Sequence, residues 1–236
     1  MALIDGEAAH NHERGAVLRS AVVTEMKKID LKSLAAFIAG QGTSRRSVTA
    51  IAGAPGSGKS TLAEHLVFRL NEVALGSAAV PPMDGYHFDN SVLIQRGLRA
   101  RKGAPETFDV AGLLHILDRL KNNEDDEIAV PVFDRDLEIS RAGARMIPRA
   151  VRFIIVEGNY LLLAQPPWSH LRAMFDITVL VAASEEVLRQ RLTVRWRGYA
   201  LSPTEIKAKV EGNDLPNGRF VTSNSIPAQF SVEADA

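Results

Sequence analysis

The stretch Gly53-Ala54-Pro55-Gly56-Ser57-Gly58-Lys59-Ser60 constrains this chain more than any other. It fits G-x-x-x-x-G-K-[ST] without a mismatch. Before it, Ser47–Ala52 is a short, mostly apolar run that reads as a strand. After it, TLAEHLVFRL from Thr61 carries apolar residues at helical spacing. Strand, glycine-rich turn and helix in that order predict a backbone curled round an anion, its N–H groups pointing inward. The helix start adds partial positive charge at the same spot. Lys59 then reaches the β- and γ-phosphates of a nucleotide, and the Ser60 hydroxyl is placed to hold Mg²⁺. The expected nucleotide-binding set is therefore Gly53, Ala54, Pro55, Gly56, Ser57, Gly58, Lys59, Ser60 and Thr61. An ordinary Gly/Ser-rich turn is the competing reading, and eight matched positions between a strand and a helix count against it.

The 236 residues are 46% hydrophobic, enough for a sizeable core. One α/β domain with an appended lid fits better than two independent domains. Lys plus Arg and Asp plus Glu each number 28, so no net charge draws the chain to nucleic acid or a membrane. The absence of cysteine excludes disulfides, thiolate metal sites and a cysteine nucleophile. No apolar run has transmembrane length, and the start, MALIDGEAAHNHERG, lacks a signal-peptide core, so a cytoplasmic location is expected.

Residues 1–45 are expected to form a helical extension, with helical patterns over Ala16–Ile29 and Leu31–Ala39 that pack on the sheet edge. His10 and His12 read as part of a polar tail, Gly40–Ser44 as a loop, and Arg45 and Arg46 as solvated charges. The main domain is placed at 46–224, and 225–236 is expected to be a flexible tail.

Ala78–Met83 predicts a short edge strand that ends in Asp84-Gly85-Tyr86-His87. A carboxylate at the carboxyl end of a parallel strand faces the crevice where α/β sheets bind ligands. Asp84 is thus a candidate to accept a proton from an attacking hydroxyl, or to help hold Mg²⁺. A turn-forming Asp before Gly weighs equally on these residues alone. His87 reads as structural or as a substrate contact. Asp109 is placed to cap a helix over Val110–Leu120. Ile128–Phe133 reads as a strand, followed by Asp134, Arg135, Asp136, Glu138, Arg141 and Arg145. These charges line a polar-substrate pocket or form a salt-bridged hairpin; on local grounds the hairpin is preferred.

Val151–Val156 is the clearest buried strand. Glu157-Gly158 ends it, and in a chain with this glycine loop such a carboxylate is the expected second acid on the Mg²⁺ side. Ile177–Ala182 is the next core strand, and Ser184 is placed to cap a helix carrying Arg189, Arg191, Arg195 and Arg197. Arg191 and Arg195 share a face. There they can stabilise charge on a transferring phosphoryl group as a lid, about 189–200, closes; a basic solvent face is the alternative. Ser202–Val210 reads as a helix, Asn213–Gly218 as a turn and Arg219–Thr222 as a last short strand.

GAPGSGKST, PMDGYH, RKGAPETFD, PVFDR, VEGNYLLL and RQRLTVRW occur in the order seen in the uridine kinase, phosphoribulokinase and bacterial pantothenate kinase superfamily. From about Arg46 to Thr222 the chain resembles that superfamily, and most of all the branch labelled fructose transport system kinase. The resemblance implies a P-loop NTPase fold: a three-layer α/β sandwich with a mainly parallel sheet, helices on both faces and a helical lid. It implies transfer of the γ-phosphoryl group of ATP, with Mg²⁺, to a hydroxyl of a small metabolite. By position, Asp84 matches the base, Glu157 the strand-end acid, and Arg191 and Arg195 the lid arginines. Phe133, Asp134 and Arg135 match a segment that shapes the acceptor pocket. Asn213 and Asn217 resemble a branch-specific feature near the adenine. His87 departs from the pattern of both uridine and pantothenate kinases, so neither acceptor is implied. A fructose-like sugar is the first expectation, a nucleoside or pantothenate-like compound the second, and a regulatory NTPase a different class. No guanine-selective N-K-x-D element is present, so ATP is expected over GTP. The expected partner is a small molecule, not nucleic acid or membrane; a homodimer is left open.

Overall fold

The computed structural model describes residues 26–41 and 45–233. His10, His12, most of the Ala16–Ile29 pattern and the 42–44 part of the predicted loop lie outside them. In chain order the elements are β1 (Lys27–Lys28), α1 (Leu31–Gly40), β2 (Ser47–Gly53), α2 (Lys59–Val73), β3 (Ala78–Ala79), α3 (Asn90–Gln95), α4 (Val110–Asn122), β4 (Glu127–Asp134), β5 (Ile139–Pro148), β6 (Phe153–Gly158), β7 (Ile177–Ala182), α5 (Glu185–Gly198), α6 (Pro203–Lys209), α7 (Leu215–Asn224) and β8 (Phe230–Glu233). Six strands form one sheet in the order β1-β8-β7-β2-β6-β3, with every pairing parallel. β4 and β5 stand apart as an antiparallel hairpin.

Every residue of β2 and of β6 is buried, as a parallel sheet covered on both faces requires. Alternate side chains point to opposite layers. Val48, Ala50 and Ala52 pack with Ile154, Val156 and the α4 residues Leu113, Leu117 and Leu120. Ile51 and Ile155 pack the other way, with Leu34 and Ile38 of α1 and Leu66 and Leu70 of α2. No helix among the described residues is long and apolar enough to cross a membrane.

Five expectations are corrected. Arg46 is not solvated: it is 4% exposed. Its guanidinium donates to the carbonyls of Val151 at 2.7 Å, Leu120 at 3.0 Å and Pro148 at 2.8 Å, tying the end of α4 and the end of the hairpin to the sheet. Arg46→Met should remove all three donors at once and strand buried carbonyls. The expected cost is about 2–4 kcal/mol in urea unfolding. A loss below about 0.5 kcal/mol would mean water replaces the guanidinium.

Residues 225–233 of the predicted 225–236 tail are not loose, and 234–236 lie outside the described residues. β8 pairs with β7 and with β1, and the Phe230 ring meets the Phe37 edge at 4.9 Å. Likewise the segment before α1 contributes a strand, Lys27–Lys28, where a helix reaching Ile29 was predicted. The Ala78–Met83 strand shrinks to Ala78–Ala79 because Pro81 and Pro82 have no N–H to give the ladder. Finally, Asn213–Gly218 is no turn and Arg219–Thr222 no strand. A π-helical turn, Val210–Asp214, runs straight into α7. Pro216, which has no N–H for the helical ladder, follows directly on the π-helical turn, where the α-helical bonding is already interrupted. Gly218 is there for close approach: a Cβ on it would stand 3.3 Å from Ala54 Cβ.

Candidate active site

A cavity of about 1680 Å³ opens along the carboxyl ends of the sheet strands. Its floor is the glycine loop. Gly58 has φ +93°, the left-handed region that an L side chain resists, and caps α2 with no side chain of its own. The free N–H groups of the first α2 turn are thereby left to an anion. At the other end of the loop, a Cβ on Gly53 would sit 2.6 Å from Ser57 Oγ and 2.9 Å from the Val181 carbonyl. Ser57 Oγ is itself buried with no hydrogen-bond partner among the described residues. Loop, helix start and orphan hydroxyl fit a phosphate chain.

The acids and bases converge on that floor. Ser60 Oγ donates to Glu157 Oε2 at 3.0 Å. Glu157 is buried at the end of β6, and burial pushes its carboxyl above the ordinary range, against the pull of Lys59. Lys59 is pushed down by burial while Glu157 and Asp84 oppose that shift. Asp84 sits in a 3-10 turn, Met83–Tyr86, held beside the sheet by the parallel bridge from Pro82 to Glu157. Burial alone would raise its carboxyl. The His87 ring and the Arg135, Lys59 and Arg195 cations outweigh that and hold it below the usual range. Among the described residues no three acidic or histidine side chains form a metal cage. Ser60 and Glu157 instead offer oxygen donors next to a phosphate site, the arrangement that Mg²⁺ uses when the nucleotide's own phosphates complete its shell.

Beyond Asp84 the walls change character. His87 Nδ1 lies 2.8 Å from the Asp84 carbonyl, and its ring lies against Phe108 and Phe133, centroids 4.0 and 4.7 Å away. Burial pushes the His87 pKa down. Arg135 Nη2 donates to Asp84 Oδ2 at 2.6 Å. The hairpin and the pocket wall are therefore one object: β4 and β5 are joined by the Asp134–Arg141 ion pair, while Phe133 and Arg135 line the cavity. Asp134 is the exception in the predicted acceptor segment. It accepts from the Asp136 and Leu137 N–H groups and shapes the hairpin turn, outside the cavity lining.

Arg191 and Arg195 line the cavity from α5, and Arg191 donates to the Ser57 carbonyl at 3.3 Å. Arg189, on another face, pairs with Glu185 and Glu211. Asn213 and Asn217 both line the cavity. Asn217 donates to Asn213, which reaches the Lys102 carbonyl at 3.4 Å, and Asp214 accepts from Trp196 Nε1 at 2.6 Å. The π-helical turn thus ties the loop before α4 to the α5 helix. Lys102 itself went unrecognised as a site residue. Its ammonium lies 4.9 Å over the Phe133 ring and its side chain is 8% exposed. The RKGAPETFD stretch was the available signal, but a lysine in a basic loop gives no hint of burial.

A cradle with its lysine, a strand-end acid on the loop serine and arginines reaching over from a helix place the chain in the class of P-loop phosphotransferases. No protein-family model matches it. Relatives do. Over 198 residues it is 37% identical to the "Putative uridine kinase C227.14" of Schizosaccharomyces pombe, covering 80% of this chain and 83% of that protein. It is 30% identical over 149 residues to a pantothenate kinase of Streptococcus pneumoniae, 62% of this chain and 48% of that one. The crystal structure of a "putative fructose transport system kinase" from Silicibacter sp. TM1040 superposes with a TM-score of 0.80 at 38% identity, covering 86% of this chain and 98% of that one. The chain belongs to the P-loop small-molecule kinase superfamily that includes uridine kinase and pantothenate kinase.

Proposed function

We propose that this chain transfers the γ-phosphoryl group of ATP to a hydroxyl of a small metabolite. One observation carries the reading: Asp84 stands at the seam of the cavity, with Lys59 and the Ser60–Glu157 pair on one side and the aromatic wall of His87 and Phe133 on the other. The loop N–H groups and Lys59 bind and orient the phosphates. Asp84 orients the acceptor hydroxyl and takes its proton as the new P–O bond forms. Arg191 and Arg195 meet the charge that spreads over the transferring group and exclude water from it. Mg²⁺, held through Ser60 and Glu157, would neutralise phosphate charge and set the phosphates in line.

The cavity lining also takes in Thr61, His65 and Ser231–Glu233 at β8. These residues and the pair Asn213 and Asn217 are the two candidate surfaces for the nucleotide base. A sugar is the first choice of acceptor, in keeping with the name of the Silicibacter protein. A nucleoside or pantothenate-like compound is second, in keeping with the others.

The test is ADP release across sugars, nucleosides and pantothenate, with ATP and GTP in parallel. One acceptor class should stimulate turnover at least about tenfold, with ATP preferred. ATP hydrolysis that no acceptor stimulates would replace this reading with a regulatory NTPase. In the same assay Arg191→Ala and Arg195→Ala should each lower kcat by about 10²-fold and raise the KM for ATP far less. An unchanged kcat would return both arginines to a solvated helix face.

A further inference from the structure

We propose that Arg135 selects the acceptor, and that the acceptor carries an anionic group, a carboxylate or a phosphate ester, beside the hydroxyl it presents. This rests on the kinase reading above and adds the acceptor's charge to it.

The two cations over the Phe133 ring look alike in sequence and differ in state. Lys102 is fully engaged: its ammonium donates to Asn90 Oδ1 at 2.9 Å and to the Glu138 carbonyl at 2.7 Å, and pairs with Glu138 Oε2 at 3.3 Å. It has no donor left for a ligand. Arg135 is the opposite case. Its side chain is 42% exposed, and among the described residues its one hydrogen-bond acceptor is a single oxygen of Asp84. A guanidinium fork is shaped for both oxygens of a carboxylate or phosphate, and here most of its N–H groups are unused. Arg195 also acts on Asp84, but it reaches in from α5 and is assigned to the transferring phosphoryl group, so Arg135 is the cation left for the acceptor.

The position of the contact matters as much as its incompleteness. Asp84 is the group that must receive the acceptor hydroxyl, and Arg135 covers its Oδ2. A neutral acceptor gives the guanidinium no reason to leave. An anionic acceptor offers it a two-oxygen partner a few ångströms away, so the fork changes partner and Oδ2 is opened to the hydroxyl. Because one carboxylate-type partner replaces another, the guanidinium is never left unpaired in a half-buried site, which is what keeps such an exchange cheap. Arg135 sits just past β4 at the turn of the hairpin, where it can move without disturbing the sheet.

The experiment uses matched acceptors at saturating MgATP: glycerol, glycerate and glycerol 3-phosphate; ribose, ribonate and ribose 5-phosphate; fructose and fructose 6-phosphate. ADP release is measured for the wild-type chain and for Arg135→Gln and Arg135→Lys. In at least one set the charged member should exceed its neutral partner by about 10²-fold in kcat/KM. Arg135→Gln should erase that preference through acceptor KM and leave the KM for ATP within about twofold. Arg135→Lys should restore only part of it, since a point charge cannot grip both oxygens. A neutral acceptor preferred by the wild type, or a charge preference that survives Arg135→Gln, overturns the inference and leaves the kinase reading standing. Silence from every acceptor in this panel and in the nucleoside and pantothenate screen overturns both.

Discussion

Asp84→Asn is expected to lower kcat by about 10²–10⁴ and to leave MgATP affinity in place. Asparagine keeps the size of the side chain and a turn-forming oxygen, but it cannot take a proton. The glycine loop and Lys59 do not depend on it for their own conformation. The substitution also removes the ion pair with Arg135, whose side chains are 22% and 42% exposed, so the effect on stability should stay under ~1 kcal/mol. Calorimetry with MgATP and turnover with an acceptor form the paired measurement. A folded variant with near-normal turnover would move the proton-accepting role to Glu157, the other carboxylate facing Lys59.

Lys59→Ala should be the more complete loss. The Glu157 and Asp84 carboxylates both act on its buried ammonium. Alanine removes the positive charge that meets the β- and γ-phosphates and leaves two carboxylates facing an incoming polyanion. Turnover should fall by at least about 10³, and MgATP affinity should weaken as well. This dual signature separates Lys59 from Asp84, where binding survives. Acceptor-dependent kinetics equal to wild type in Lys59→Ala would refute the assignment.

The residues that sequence located well are those whose neighbours in chain are also their neighbours in space. Gly53 to Ser60 is a local device, and Glu157 follows an unbroken apolar run that can only be a buried strand. Ser184 and Asp109 cap the helices expected of them, accepting from the Val187 and Gly112 N–H groups. What escaped depends on distant partners. Arg46 looks like any charge before a strand. Its acceptors are 105, 74 and 102 residues away, and nothing local announces three buried carbonyls. Asn-Asp-Leu-Pro-Asn-Gly has the composition of a turn, yet it continues the helix and packs its Gly218 close against Ala54. Lys102 and Arg135 are both basic residues in polar segments; burial by Phe133 and Glu138 on one, and exposure on the other, separate them.

The pairing of β1 with β8 also bears on how the molecule is made. Lys28 and Glu233, which form an ion pair across these two strands, are 205 residues apart in sequence. During synthesis the core strands β2, β6 and β7 can all associate while β1 still has no neighbour. The flank of β7 stays open until β8 arrives. Closure of that flank is therefore the most non-local step in the sheet, and such steps are slow because loop-closure entropy is met before any contact rewards it. In hydrogen exchange the amides at β1 and β8 should open well before those of β2 and β6, as one small cooperative unit. A ribosome-bound chain in which β8 is still unavailable would present β7 as an unprotected edge, the part of this fold most open to a chaperone or to mispairing.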